Sequence, residues 1–215
     1  MDRPKFLRPM AEHVTVAGPA GALETLVEVP ASHAGDKVAI VCHPHPLFGG
    51  TLQNKVVHMA ARALQERGYA TVRFNFRGVG ASAGVFDDGR GETDDALAVC
   101  DYAQARWPQS HLTLAGFSFG AFVAFQVAGR RPVDRLYTIA PPVRRFDFGV
   151  HPIPTAPWIV IQGDRDELVE YEAVVAWVRS ARPQPTLVTI AGAEHFFHGR
   201  LNDLKDAVQA ALPGA

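Results

Sequence analysis

The sequence predicts an α/β protein with a mostly parallel sheet of about eight strands, an antiparallel N-terminal hairpin and helices on both faces of the sheet. Two observations lead to this prediction. From residue 38 onward, short apolar runs alternate with stretches of helical spacing, which is typical of βαβ units. Before residue 38, apolar and polar residues alternate singly, as in antiparallel strands with one face in water. A length of 215 residues fits one domain, which we expect to span residues 1–215.

The predicted strands follow from two kinds of pattern. The first two strands flank a turn at Gly18–Gly21, which indicates a hairpin. The run Val38–Cys42 is apolar without interruption, as expected of a strand that is covered on both faces. In chain order, the predicted strands are His13–Val16, Leu23–Val29, Val38–Cys42, Tyr69–Phe76, Leu112–Gly116, Leu136–Ala140, Trp158–Gln162 and Thr186–Ile190.

The predicted helices occupy the stretches between these strands. The first helix ends where Gly68 can serve as a C-terminal cap. The helix Phe119–Ala128 is almost entirely apolar, so we expect it to be buried against the sheet. In chain order, the predicted helices are Asn54–Arg67, Thr93–Arg106, Phe119–Ala128, Tyr171–Arg182 and a last helix that begins at Leu201.

Composition and charge argue against several classes of function. The net charge is −1, so no bulk charge attracts the chain to nucleic acid or to anionic membranes. No apolar run approaches the roughly 20 residues of a membrane-spanning helix, and Met1–Pro9 lacks the apolar core of a signal peptide. Cys42 and Cys100 form no disulfide framework. We therefore expect a cytoplasmic protein without a nucleic-acid or membrane partner, and the sequence leaves the oligomeric state open.

The segment Gly116–Gly120 matches G-x-S-x-G, the pattern of a nucleophile elbow. Its serine, Ser118, directly follows an apolar strand and precedes an apolar helix, which is the context that the motif requires. The glycines are needed because neighbouring side chains would collide in so tight a turn. The helix N-terminus also directs backbone N–H groups toward a developing oxyanion. We predict that Ser118 is a nucleophile.

Two similar motifs between residues 78 and 84 are rejected on their context. Ser82 lies in Gly80–Gly84, which also reads G-x-S-x-G, but the loop-forming residues Val85–Gly91 follow it instead of a helix. The segment Gly78–Ala83 fits the dinucleotide pattern G-x-G-x-x-A, which needs a helix immediately after it to bind a pyrophosphate. We therefore expect no nicotinamide cofactor, and no other cofactor is implied.

A nucleophilic serine of this kind needs a base and an orienting acid, which follow it in the order Ser, Asp/Glu, His. Polar clusters follow the last two predicted strands, at residues 163–169 and 191–199. Both lie at carboxyl ends of strands, on the same sheet edge as Ser118, where open α/β sheets bind ligands. His195 lies in the second cluster and is the predicted general base, while the first cluster supplies the acid.

The oxyanion donors are predicted to be backbone N–H groups. One belongs to Phe119, and the other comes from the loop His43–Gly50. Because Pro44 and Pro46 have no N–H, the second donor is His45, Leu47 or a later residue, and we expect Leu47. His43 and His45 could instead form a metal pair, but they lack the third ligand that a catalytic zinc requires, so we expect no metal.

A family resemblance rests on four passages, which are His43–Gly50, Phe74–Ser82, Gly116–Gly120 and His195–Gly199. Through them the chain resembles the α/β-hydrolase superfamily over nearly its whole length. It is most similar to small, cap-less predicted hydrolases related to dienelactone hydrolases and bacterial esterases. The resemblance implies the α/β-hydrolase fold and a serine hydrolase that cleaves ester-type bonds of small soluble substrates through an acyl-enzyme intermediate.

The resemblance also implies the identity of the acid and the shape of the site. The family motif G-x-x-D-x-x-V falls on Gly163, Asp166 and Val169, which implies that Asp166 is the acid. Many relatives insert a cap where this chain has only the 17 residues Pro141–Pro157, five of them proline, so no cap is expected. The implied partner is a small ester-like molecule. A peptidase or acyltransferase on the same fold, or a non-catalytic interaction module, stays open.

Overall fold

The computed structural model describes residues 9–149 and 153–212, and within them an eight-stranded sheet. The strands are β1 (Met10–Gly18), β2 (Gly21–Val29), β3 (Lys37–Cys42), β4 (Ala70–Phe74), β5 (His111–Phe117), β6 (Arg135–Ile139), β7 (Trp158–Gly163) and β8 (Thr186–Ile190). Their spatial order is β1-β2-β4-β3-β5-β6-β7-β8. Strand β2 runs antiparallel to both of its neighbours, and the remaining pairs are parallel. The predicted fold class is confirmed.

Helices cover both faces of this sheet. They are α1 (Lys55–Gln65), α2 (Arg90–Arg106), α3 (Phe119–Arg130), α4 (Tyr171–Ser180) and α5 (Leu201–Ala210). Helices α2, α3 and α4 pack on one face, and α1 and α5 pack on the other. Successive strand side chains point to opposite faces. In β3, Val38, Ile40 and Cys42 therefore contact the first layer of helices, while Ala39 and Val41 contact the second.

The two edges of the sheet are less buried than its centre. The sequence predicted one wet face for each strand of the hairpin, but β2 lies between β1 and β4 and is largely covered on both faces, with Leu23, Thr25 and Val27 fully buried. Strand β1, at the edge, is the exposed member of the hairpin. At the other edge β8 pairs only with β7, and Ile190 is the one buried residue among its five.

Helix α2 begins at Arg90, three residues before the predicted start at Thr93. The physical reason lies in Glu92, whose carboxylate accepts hydrogen bonds from the backbone N–H groups of Asp87 and Gly89 at 2.9 and 2.8 Å. Such contacts satisfy amide donors that the first turn of a helix leaves unpaired. The glycines and aspartates of this segment, which suggested a loop, thus belong to a capped helix start.

The described residues between β6 and β7 form no cap. The residues described there, 140–149 and 153–157, form no helix or strand, and residues 150–152 of the predicted cap-less stretch lie outside the described residues. Among the helices of the described chain, none combines the length and the apolar composition needed to cross a membrane.

A buried ion pair joins β2 to β4 and supports the loop after β3. The Arg73 guanidinium donates to Glu28 at 2.7 and 3.2 Å and to the Leu52 carbonyl at 2.6 Å. The Arg73 side chain is 2% exposed and that of Glu28 11%. Because both charged groups are buried away from water, each is stabilised mainly by the opposite charge of the other.

We expect Glu28→Gln to lower the free energy of unfolding by about 3 kcal/mol, because it leaves the Arg73 charge buried without a counterion. Urea denaturation measures this loss. Glu12→Gln is the matched control, since it breaks the solvent-exposed pair with Arg106, and it should cost at most about 0.5 kcal/mol. Equal losses in the two variants would contradict the proposed dependence on burial.

Candidate active site

Ser118 occupies a strained turn between β5 and α3. Its backbone has φ 54° and ψ −118°, a conformation with positive φ that residues other than glycine rarely adopt. Its N–H is held by the Ile139 carbonyl of β6 at 2.8 Å. A Cβ at Gly116 would lie 2.0 Å from the Gly120 carbonyl oxygen, and one at Gly120 would lie 2.4 Å from the Cys42 carbonyl oxygen. Both glycines are therefore required for the backbone to approach so closely.

The structure brings together the three side chains predicted as nucleophile, base and acid. The Ser118 hydroxyl lies 3.2 Å from Nε2 of His195. Nδ1 of the same imidazole lies 2.9 and 3.1 Å from the two carboxylate oxygens of Asp166. Ser118 follows β5, Asp166 follows β7 and His195 follows β8, so the three meet where parallel strands end at one edge of the sheet. These contacts form an unbroken hydrogen-bond chain from hydroxyl to carboxylate.

Asp166 is a buried carboxylate with fixed hydrogen-bond donors on both oxygens. Its Oδ1 accepts the backbone N–H groups of Leu168 and Val169 at 2.9 and 2.7 Å, and its Oδ2 accepts the Gln162 amide at 2.9 Å. Burial raises the pKa of Asp166, but the hydrogen bonds from His195 and from the two backbone amides outweigh it, so the pKa lies below its ordinary value. The carboxylate is therefore ionised and oriented at neutral pH.

His195 is held in place from several sides. It is 3% exposed, and its ring packs against Phe117 and Phe196 with centroid distances of 5.0 and 5.1 Å. Its backbone N–H donates to the Glu167 carboxylate at 3.1 Å. Asp164, the other aspartate of the loop after β7, accepts the Gly192 N–H at 2.6 Å and so ties this loop to the one that carries His195.

The hydroxyl of Ser82, the serine of the rejected motif, forms hydrogen bonds with backbone groups. It accepts the Glu24 N–H at 2.9 Å and donates to the Asn75 carbonyl at 2.7 Å. No histidine is among these partners. The loop around it leads to no helix before Arg90, so neither the elbow nor the dinucleotide motif between residues 78 and 84 has its required context.

The loop after β3 places His45, and not Leu47, beside the nucleophile. Residues Pro46–Phe48 form a 3₁₀ turn in which the Leu47 N–H faces back to Nδ1 of His45 at 3.3 Å, and the Leu47 side chain is exposed. His45 lines the cavity above Ser118, whereas Leu47 does not. Among the described residues, the N–H groups of His45 and Phe119 have no hydrogen-bond acceptor. The Leu47 N–H is thus already engaged by the His45 ring, so this placement does not favour Leu47 as the second oxyanion donor, and its role stays a prediction.

His43 fastens the start of this loop to the end of β4. It is fully buried, with Nδ1 2.6 Å from the Pro44 carbonyl and Nε2 3.0 Å from the Phe76 backbone nitrogen. The Phe76 N–H must donate to Nε2, so the ring is neutral with its proton on Nδ1. Burial lowers the pKa of His43 to about 4. With both nitrogens used by the backbone, His43 has no free lone pair for a metal ion.

A cavity of about 680 Å³ opens above the Ser118 hydroxyl, within the usual size of small-molecule sites. Apolar and aromatic groups make up much of its lining, and its charged members are Arg144, Arg145 and Glu170. Sequence reasoning missed Arg145, which lies in the proline-rich segment after β6 with no motif to mark it. It also missed Gln162, although a polar residue that ends an apolar strand just before the acid loop is a usable signal.

A family model described as X-Pro dipeptidyl-peptidase (S15 family) matches residues 21–153 of the chain. The matched region includes Ser118 but ends before Asp166 and His195. An uncharacterized protein of Rickettsia prowazekii is 39% identical in an alignment 207 residues long, which covers 91% of this chain and 86% of the relative.

Two solved structures are similar along almost the whole chain. One is an α/β serine hydrolase without a lid from Xanthomonas campestris, 45% identical, with a TM-score of 0.91 and coverage of 98% of this chain and 99% of that one. The other is an α/β serine hydrolase homologue from Coxiella burnetii, 44% identical, with a TM-score of 0.90 and coverage of 94% and 97%.

The buried neutral His43 predicts a pH-dependent stability. Its folded pKa of about 4 lies below the ordinary value of 6.5, so the unfolded state binds the proton more readily. The contribution of the neutral His43 ring to the free energy of unfolding is complete above pH 6.5. It is lost as the pH falls toward 4, and the total loss is about 3 kcal/mol. We expect the difference in unfolding free energy between wild type and His43→Gln to shrink over this range in urea titrations. The control His198→Gln, at an exposed position, should leave the pH profile unchanged, and parallel profiles for His43→Gln would contradict the prediction.

Proposed function

The chain belongs to the X-Pro dipeptidyl-peptidase (S15) family within the α/β-hydrolase superfamily, and we propose that it cleaves ester-type bonds of small soluble substrates through an acyl-enzyme intermediate. That it is a hydrolase of the α/β serine type follows from the family and its structural relatives. The ester specificity and the roles of individual residues are our proposal. The hydrogen-bond chain from Ser118 through His195 to Asp166 is the observation that carries it.

In the proposed reaction, the Ser118 oxygen attacks the ester carbonyl while its proton passes to Nε2 of His195. Asp166 accepts the Nδ1–H, which keeps the ring in the required tautomer and stabilises the imidazolium that forms. The imidazolium then gives its proton to the departing alcohol, which leaves an acyl group on Ser118. Water repeats the sequence with His195 as its base, and releases the acid and the free serine.

We assign the oxyanion to the N–H groups of Phe119 and His45, and so replace our expectation for Leu47. Phe119 is the first residue of α3, where an N–H has no partner within the helix and the helix dipole favours negative charge. His45 lines the cavity together with Ser118 and Phe119. Donors fixed in this way stabilise the charge of the tetrahedral intermediate without reorganising.

The charges in the cavity support an ester over an X-Pro peptide as substrate. A dipeptidyl-peptidase acts at a free N-terminus, so its substrate brings an ammonium group that calls for an anionic partner. Glu170 is the one carboxylate among the described residues that line the cavity, and Arg144 already pairs with it at 2.8 Å. A peptidase stays the second candidate, because the family match favours it.

The nucleophile and the substrate class are tested together. We expect Ser118→Ala to lose labelling by a fluorophosphonate and about 10⁶-fold in kcat on 4-nitrophenyl acetate, because no other hydroxyl among the described residues is paired with a base. Ser82→Ala, the matched control, should keep labelling and most of the activity. We expect no detectable turnover of Ala-Pro-4-nitroanilide. Labelling at Ser82 would overturn the assignment, and a kcat/KM for the anilide that reaches that for the ester would favour the peptidase.

Variants of the two aspartates after β7 distinguish the catalytic acid from an aspartate that only connects two loops. Asp166→Asn should lower kcat by about 10⁴-fold, because the amide can no longer accept the Nδ1–H and the imidazole turns to the wrong tautomer. Asp164→Asn weakens only the contact to Gly192, so it should lower the thermal midpoint with kcat nearly intact. Both variants are measured for kcat and Tm side by side. A large kcat loss confined to Asp164→Asn would reverse the roles.

A further inference from the structure

Arg145 lies at the cavity in a position set by a tight turn. The N–H groups of Arg145 and Phe146 both donate to the Pro142 carbonyl, at 2.9 and 3.1 Å. The Arg145 guanidinium carbon lies over the Phe48 ring at 5.1 Å from its centroid and 5.9 Å from that of Phe146. Such cation–π contacts hold the face of the guanidinium against a ring, while the N–H donors along its edge stay available.

The charge of Arg145 is not neutralised by a neighbour. Arg144, the next residue, pairs with Glu170, but among the described residues no carboxylate lies within ion-pair distance of Arg145. Asp88 acts electrostatically on His45, but it neither lines the cavity nor pairs with Arg145. The lining therefore carries one uncompensated positive charge.

That charge also reaches the reacting end of the cavity. Burial lowers the pKa of His45, and the positive charge of Arg145 lowers it further. The His45 ring in turn lies 4.7 Å from Phe48 and 5.1 Å from Phe119, the residue that follows Ser118. Arg145 thus contacts Phe48, Phe48 contacts His45, and all three line the same cavity as Ser118.

We propose that Arg145 is a specificity residue that binds an ionised carboxylate of the substrate. The substrate class is then an ester that carries a second, anionic group on its acyl part or on its leaving part. This inference rests on the proposed ester hydrolysis and narrows it. The guanidinium offers two parallel donors to a carboxylate, which is the pairing its geometry favours. A neutral ester would form no ion pair with this cation.

The test compares anionic and neutral esters of matched size in wild type and Arg145→Gln. For the acyl side the pair is 4-nitrophenyl hemiglutarate and 4-nitrophenyl pentanoate. For the leaving side it is 4-acetoxybenzoate and 4-acetoxytoluene. We expect Arg145→Gln to lower kcat/KM about tenfold for one of the anionic esters, mainly through KM, and less than twofold for its neutral partner. The side on which the loss occurs identifies the part of the substrate that carries the charge.

Two controls separate a local contact from a general charge effect. Arg130→Gln removes the same charge from the exposed end of α3, far along the helix from Ser118, and should leave the preference unchanged. Salt at 0.5 M should reduce the preference for the anionic ester in wild type and not in Arg145→Gln, because it screens exposed charges. Equal effects of Arg145→Gln on anionic and neutral esters would overturn the proposal.

A binding measurement tests the anion site even when the esters are not hydrolysed. In a Ser118→Ala background, calorimetric titration with 4-nitrophenyl hemiglutarate and with 4-acetoxybenzoate should give an affinity about tenfold weaker for one of them when Arg145→Gln is added. Unchanged affinity for both anions would overturn the assignment of Arg145. If wild type shows neither ester turnover nor fluorophosphonate labelling at Ser118, the proposed function fails, and this titration still decides whether Arg145 binds the anion.

Discussion

The close backbone approach at the start of α3 is the constraint on which the site depends. Gly120 lies against the carbonyl of Cys42, and Gly116 against that of Gly120, at separations that no side chain would tolerate. The first turn of the helix is thereby wedged between the ends of β3 and β5. This contact places Ser118 above the sheet and sets the free N–H of Phe119 beside the loop after β3. The backbone strain at Ser118 is maintained by this packing.

The buried carboxylate of Asp166 is kept ionised by the hydrogen-bond donors around it. Burial alone would favour the protonated form of Asp166. His195 and two backbone amides of the same loop oppose this, and the Gln162 side chain in β7 donates to the other carboxylate oxygen. Because the two amides belong to the backbone of the loop that carries Asp166, they are in place before charge develops on His195. The acid loop and the elbow thus follow one principle, in which the backbone supplies the polar environment.

Much of the fold and part of the site could be predicted from patterns that depend on local chemistry. Apolar runs identified the strands, and the order of Ser118 and His195 at carboxyl ends of strands indicated that they would meet. The start of α2 was missed because Glu92 supplies its cap from inside a glycine-rich segment. The sequence suggested Leu47 as the donor in the loop after β3, and the hydrogen bond of its N–H to His45 was not foreseen, since the 3₁₀ turn depends on how the loop packs. Arg145 could not be found because its contact with Phe48 and its place at the cavity depend on segments distant in sequence.

The position of β8 at the sheet edge affects how the protein loses its active arrangement on local unfolding. Segments with little buried apolar surface open locally at a lower free energy than the core does. The loop that carries His195 follows such a strand, whereas Ser118 sits between the buried β5 and α3. Partial unfolding therefore detaches the base while the nucleophile stays in its turn. We expect the lifetime of the active enzyme to depend on this edge, and therefore on residues of β8 that do not line the cavity.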